Sequence, residues 1–104
     1  MGYSQSKYKS ILQTIDNKQG AYGEIAQQIW SYAEMGYQEE QSSALLQKTL
    51  QAEGFTIEAG VAEMPTAFVA SFGSGSPVIG ILGEYDALPG LSQQAVPYKV
   101  SNNA

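Results

Sequence analysis

The chain predicts an α/β fold, and three observations predict it. The first half carries apolar residues at helical spacing. After Gly54 the pattern becomes short, extended and alternating. Residues 78–82 are then apolar or Gly without interruption, the mark of a strand buried on both faces. The pattern is three helices followed by a hairpin-containing sheet. A strand buried on both faces needs cover above and below, and three helices supply one layer. At 104 residues, the expectation is an incomplete domain.

Residues 4–17 predict the first helix, because Tyr8, Ile11, Leu12 and Ile15 fall at i, i+3, i+4 and i+7. Residues 16–20 contain Asp16, Asn17 and Gly20 and read as a helix end or turn. Residues 21–34 predict a second helix with a stripe of Ile25, Ile29 and Ala33; Tyr32 lies on that side, and Trp30 beside it. Gly36 is its expected stop, since Gly tolerates the left-handed conformation that ends helices. Residues 39–53 predict a third helix. Ala44, Leu45, Leu46 and Leu50 form its apolar face, Lys48 lies in its last turns and Gly54 closes it. Glu39 and Glu40 belong to its first turn, where carboxylates favour the helix dipole. Trp30, Tyr32 and Tyr37 are expected in the core or in helix packing.

Residues 55–58 predict a short strand, 60–65 a loop, 67–72 a strand, 73–77 a turn and 78–82 a further strand. The short Gly/Ser turn at 73–77 predicts an antiparallel hairpin between 67–72 and 78–82. Residues 92–104 are rich in Gln, Ser and Asn and read as a loop or tail.

Composition narrows the function classes. The chain has five Lys, no Arg, no His, no Cys and a net charge of −5. Without a basic cluster it has no electrostatic footprint for nucleic acid or for an anionic membrane. No apolar run approaches membrane-spanning length, and the first residues lack the apolar centre of a signal peptide. With no cysteine to form a disulfide, the expected location is cytoplasmic. The absence of His and Cys also removes the usual general base and the commonest zinc donors.

The candidate chemistry lies just past residues 78–82, in Gly83-Glu84-Tyr85-Asp86-Ala87-Leu88-Pro89-Gly90-Leu91. In open α/β sheets ligands bind beyond the carboxyl ends of strands. Glu84 and Asp86, at i and i+2, share one face of an extended segment. Two such carboxylates can contact a divalent cation or orient one of its ligands. The plainer alternative is a pair of solvated loop residues with Asp86 opening a turn, and spacing alone favours it. Pro89 and Gly90 form a tight turn behind the pair. Tyr85 reads as a packed aromatic. The Gly-rich stretch at 73–76 opens no helix and is no phosphate cradle. Ser42, Ser43 and Ser92 have no recognisable His or Lys partner, so a serine triad is unsupported.

The order of these features carries a resemblance. Tyr32-Ala33-Glu34-Met35-Gly36-Tyr37-Gln38-Glu39 leads to Ser43-Ala44-Leu45-Leu46, then Ala52-Glu53-Gly54-Phe55, then the Glu84–Asp86 motif. Over residues 25–98 this resembles the N-terminal part of the M20 metallopeptidase/amidohydrolase family, and within it the amidohydrolases that cut aminobenzoyl-glutamate. The resemblance implies that residues 1–104 are the N-terminal portion of a single zinc-exopeptidase-like α/β/α catalytic domain. It implies hydrolysis of the amide bond of an N-acyl amino acid such as p-aminobenzoyl-glutamate by a metal-activated water, with zinc or manganese as the divalent metal. It also implies a homo-oligomer formed through a domain that the family inserts later in the chain.

The family's first site motif commonly reads His-x-Asp-x-x-Pro. Asp86 occupies the Asp place, which implies a role in orienting or supporting the metal site, with Pro89 and Gly90 as its turn. Glu84 stands where the pattern has His, as a possible metal contact. The His-x-Cys-Gly-His segment expected to follow does not occur before Ala104. The expectation is therefore that this chain alone holds no metal and is inactive. The alternative is a non-catalytic α/β interaction module that completes its sheet with the remainder of such an enzyme or with a homologue. A third reading, weak cation binding by Glu84 and Asp86 alone, leaves most of the coordination shell to water.

Overall fold

A computed structural model describes residues 2–86 and 93–101. Helix α1 spans Gly2–Tyr32 and helix α2 spans Glu40–Ala52. Strand β1 is Thr56–Ala59, a single 3-10 turn follows at Val61–Glu63, and strand β2 is Phe68–Ser71. The expected mixture of helix and sheet is met, with two helices in place of three.

The difference lies at residues 16–20, where α1 runs on without the expected turn. Breaking a helix strands four N–H groups and four carbonyls at the new ends. Gly20 and Gly23 each cost only about 1 kcal/mol relative to Ala in a helix interior. The polar side chains also find partners along the helix. Gln13 Nε2 donates to Asn17 Oδ1 (3.2 Å), and the Thr14 hydroxyl donates to the Ser10 carbonyl (3.0 Å). Lys18 Nζ reaches across to Glu53 Oε1 at 2.6 Å and ties the middle of α1 to the end of α2. An exposed pair of this kind is a weak link.

Helix α1 stops at Ala33 rather than Gly36. Ala33 takes a left-handed φ of 49° and donates its N–H to the Ile29 carbonyl. Helix α2 ends as its sequence predicts. The Gly54 N–H bonds the Gln51 carbonyl and the Phe55 N–H bonds the Leu50 carbonyl, both at 3.1 Å, which is the Schellman pattern. Gly54 supplies its left-handed φ of 98°. A Cβ there would meet the Phe72 ring at 3.5 Å, an ordinary contact, so it is the left-handed φ that makes a larger residue strained.

The sheet pairs β1 with β2, antiparallel, in the register Thr56↔Ser71, Ile57↔Ala70, Glu58↔Val69 and Ala59↔Phe68. Ile57, Phe68 and Ala70 are half-buried while Glu58 and Val69 are exposed, so one face packs and the other is wet. Phe55 and Phe72 close the end beside α2, with ring centroids 5.3 Å apart. The hairpin is therefore 56–59 with 68–71, not 67–72 with 78–82. Residues 78–82 form no strand. Val78, Ile79, Ile81 and Leu82 are between 84% and 95% exposed. A run that is apolar on both faces gains little by pairing at one edge of a two-stranded sheet, because its outer face stays in water.

No hydrophobic residue is fully buried among the described residues. The apolar stripe of α1 (Tyr8, Ile11, Leu12, Ile15) is exposed, as are Trp30 and Tyr37, against the expectation that the latter pair packs. The radius of gyration is 17.2 Å, against about 13 Å for a compact domain of this length.

Candidate functional site

What is buried is polar. Ser42, Ser43 and Thr66 are the buried side chains among the described residues, and all three are hydrogen-bonded. The loop between the strands brings Thr66 to α2: the Gly60 N–H bonds the Ala67 carbonyl (2.8 Å) and the Ala67 N–H bonds the Met64 carbonyl (3.0 Å). The Thr66 carbonyl accepts the Ser43 hydroxyl at 2.8 Å and the Tyr85 hydroxyl at 2.5 Å. The Thr66 hydroxyl donates to Glu39 Oε2 at 2.9 Å, and Gln47 Nε2 donates to Ser43 Oγ at 2.9 Å. Buried hydroxyls without partners are costly, so this network fixes the Thr66 peptide against the first turn of α2.

Glu34 caps α2 from outside the helix. Its carboxylate accepts the Gln41 N–H (2.9 Å), the Ser42 N–H (2.8 Å) and the Ser42 hydroxyl (2.8 Å). Glu39, at the N-cap position, makes no capping bond and turns to Thr66 instead. Glu40 does sit in the first turn, as expected. Desolvation alone raises the Glu34 pKa; the Gln41 and Ser42 amides and the Ser42 hydroxyl outweigh it and hold the group below its ordinary 4.5. The short loop after Ala33 places this carboxylate where the orphan N–H groups of α2 point.

The Glu84–Asp86 segment meets this network through Tyr85. The Tyr85 ring packs on Phe68, centroids 6.3 Å apart, and its hydroxyl is held by Thr66. Tyr85 is half-buried while Glu84 and Asp86 are both exposed. The middle residue is held inward and the two carboxylates flank it on the solvent side, as i and i+2 of an extended segment do. The expected packed role of Tyr85 is met. The expected strand before the motif is not present, so Glu84 and Asp86 follow a segment without regular structure rather than a sheet strand. Pro89 and Gly90, their expected turn, lie outside the described residues, as does Ser92.

Among the described residues no three His, Cys, Asp or Glu side chains gather in a group able to hold a metal ion. Two carboxylates from one segment leave most of the coordination shell of a zinc or manganese ion to other donors. An open groove of about 520 Å³ lies elsewhere, between α2 and the Pro65–Thr66 peptide, and does not include Glu84 or Asp86. No helix among the described residues is long and apolar enough to cross a membrane.

Comparison with known proteins adds one decisive likeness. The chain is 47% identical over 91 residues to a subunit of the p-aminobenzoyl-glutamate hydrolase of Escherichia coli (strain K12). The match takes in 88% of this chain and 19% of that hydrolase subunit. The chain thus spans about a fifth of the length of the relative it matches. No family model matches the chain.

Identity at this level over nearly the whole chain supports the resemblance carried by the ordered motifs. Sequence reasoning singled out the carboxylate pair and expected Tyr85 to pack, but it missed the hydrogen bonds of Glu34 and Thr66. Glu34 had a faint signal: an acidic residue just before a helix whose N-cap residue, Glu39, is a poor capper. Thr66 had none, because its partners lie 19, 23 and 27 residues away.

Proposed function

We propose that this chain is a portion of a metal-dependent amidohydrolase of the M20 type. Its substrate is an N-acyl amino acid such as p-aminobenzoyl-glutamate, cleaved at the amide bond. The observation that carries this reading is the 47% identity to the hydrolase subunit, together with the Glu84-Tyr85-Asp86 motif. Asp86 is the residue assigned to support the site, as an orienting carboxylate. Glu84 is a possible metal contact.

The parent enzyme would use zinc or manganese. This chain has no His and no Cys, so the nitrogen and sulfur donors of such a centre would come from elsewhere. Water at neutral pH is a poor nucleophile without a metal or a base, and the chain alone is therefore inactive. Its own residues do structural work for the site. Thr66 and Phe68 fix Tyr85, and Tyr85 sets the two neighbouring carboxylates toward solvent.

The test is a graft. The matched 91 residues of the Escherichia coli hydrolase are replaced by those of this chain, and release of p-aminobenzoate from p-aminobenzoyl-glutamate is followed. The graft is expected to hydrolyse the substrate, while the isolated chain with added Zn²⁺ or Mn²⁺ stays at the buffer rate. Turnover by the isolated chain, or a folded graft that is inert, contradicts the proposal.

A further inference from the structure

From Ser71 to Glu84 every residue is exposed, and Tyr85 is the first side chain after β2 to be half-buried. Its ring packs on Phe68 and its hydroxyl donates to the Thr66 carbonyl. Among the described residues, this is the one side-chain hydrogen bond from residues 72–86 to the rest of the chain. The receiving carbonyl is itself held. It accepts the Ser43 hydroxyl as well, at 2.8 Å, so both of its lone pairs are taken. Ser43 accepts Gln47 Nε2 at 2.9 Å, and the Thr66 hydroxyl donates to Glu39 at 2.9 Å. Ser43 is 3% exposed and Thr66 7%, so water does not compete for these bonds.

We infer that Tyr85 and Ser43 are positioning residues for Asp86, with the Thr66 carbonyl as their common anchor. This rests on the proposed function, in which Asp86 supports the site. Asp86 is the next residue after Tyr85, so the place where Tyr85 is fastened sets where the Asp86 carboxylate stands. The exposed segment before it supplies no other restraint of this kind. Ser43 acts one step further back. Its hydroxyl holds the Thr66 peptide against the first turn of α2, and that peptide holds Tyr85. The first turn of α2 and the carboxylate motif are thus joined through a single carbonyl. Accuracy at such a point matters, because a shift of about 1 Å in a positioned group can cost about 100-fold in rate. The phenol hydroxyl is the part of Tyr85 that carries this role; its ring would pack on Phe68 without it.

Two variants each remove one bond and keep the packing, Tyr85→Phe and Ser43→Ala. Amide order parameters are measured on the isolated chain by nitrogen-15 relaxation. Those of Tyr85 and Asp86 are expected near about 0.85 in the parent and below about 0.6 in Tyr85→Phe, with a smaller fall in Ser43→Ala. In the graft, Tyr85→Phe is expected to lower kcat about tenfold and Ser43→Ala about threefold, with KM little changed. In an Asp86→Ala graft neither substitution is expected to lower kcat further, because both act through that carboxylate. A role confined to stability would lower kcat alike with and without Asp86, and that result overturns the inference. So does parent-like order at Asp86 in either variant, or an isolated chain that does not fold. An inert graft, with Asp86 ordered by Tyr85 in the isolated chain, rejects the hydrolase reading and leaves the anchoring standing. An active graft whose Tyr85→Phe variant is as fast as its parent does the reverse.

Discussion

Glu34 shows how one carboxylate can organise a helix it does not belong to. It satisfies two N–H groups at the start of α2 that no N-cap side chain serves. Replacing a capping side chain by Ala costs about 1 kcal/mol, and in a chain of this size that lowers Tm by about 4–8 °C. Glu34→Ala is expected to show this loss near neutral pH. Its pKa is lowered on folding, so the stabilisation is complete above the ordinary value of 4.5 and fades as pH falls through the depressed value. Melting curves of both proteins should converge in acid. A gap independent of pH contradicts the capping role. The residue scale is also where sequence was least informative. The Glu84–Asp86 spacing was legible because two neighbours in sequence share a face. Thr66 was not, because its hydroxyl and carbonyl meet partners brought close only by the fold.

At the scale of elements, local signals were read well when they were self-contained. The end of α2 needed only Gly54, and the strands at 56–59 and 68–71 needed only their alternation. Two readings failed because they weighed local signals without tertiary cost. Residues 16–20 contain turn-forming types, yet a continuous helix keeps the backbone hydrogen bonds that a break would strand, at the small cost of a glycine in its interior. Residues 78–82 have strand composition, but a strand exists only where a neighbour pairs with it. The continuity of α1 has a direct consequence. Nothing lies within 4 Å of a Cβ built on Gly20. Gly20→Ala is therefore expected to stabilise the helix by about 1 kcal/mol and to raise the far-UV helical signal. A neutral or destabilising result would restore the turn that the sequence suggested.

The whole molecule explains why its buried groups are polar. With one helical layer on one small sheet, no apolar side chain among the described residues is enclosed. The Ser42, Ser43 and Thr66 network then holds α2, the inter-strand loop and Tyr85 together in place of an apolar core. Covering a large apolar side chain contributes about 1.5–3 kcal/mol, so the four at 78–82 represent a sum comparable with the stability of a small domain. In the chain as described that stabilisation is not realised, directly before the carboxylate pair. The central proposal is that Asp86 supports an amide-hydrolysing site. The most direct measurement is the steady-state rate of p-aminobenzoyl-glutamate hydrolysis by the graft with and without Asp86→Ala. The account predicts a kcat lowered by about 10–100-fold, with KM little changed, in a protein of unaltered circular dichroism. An Asp86→Ala graft that hydrolyses the substrate as fast as its parent would contradict it.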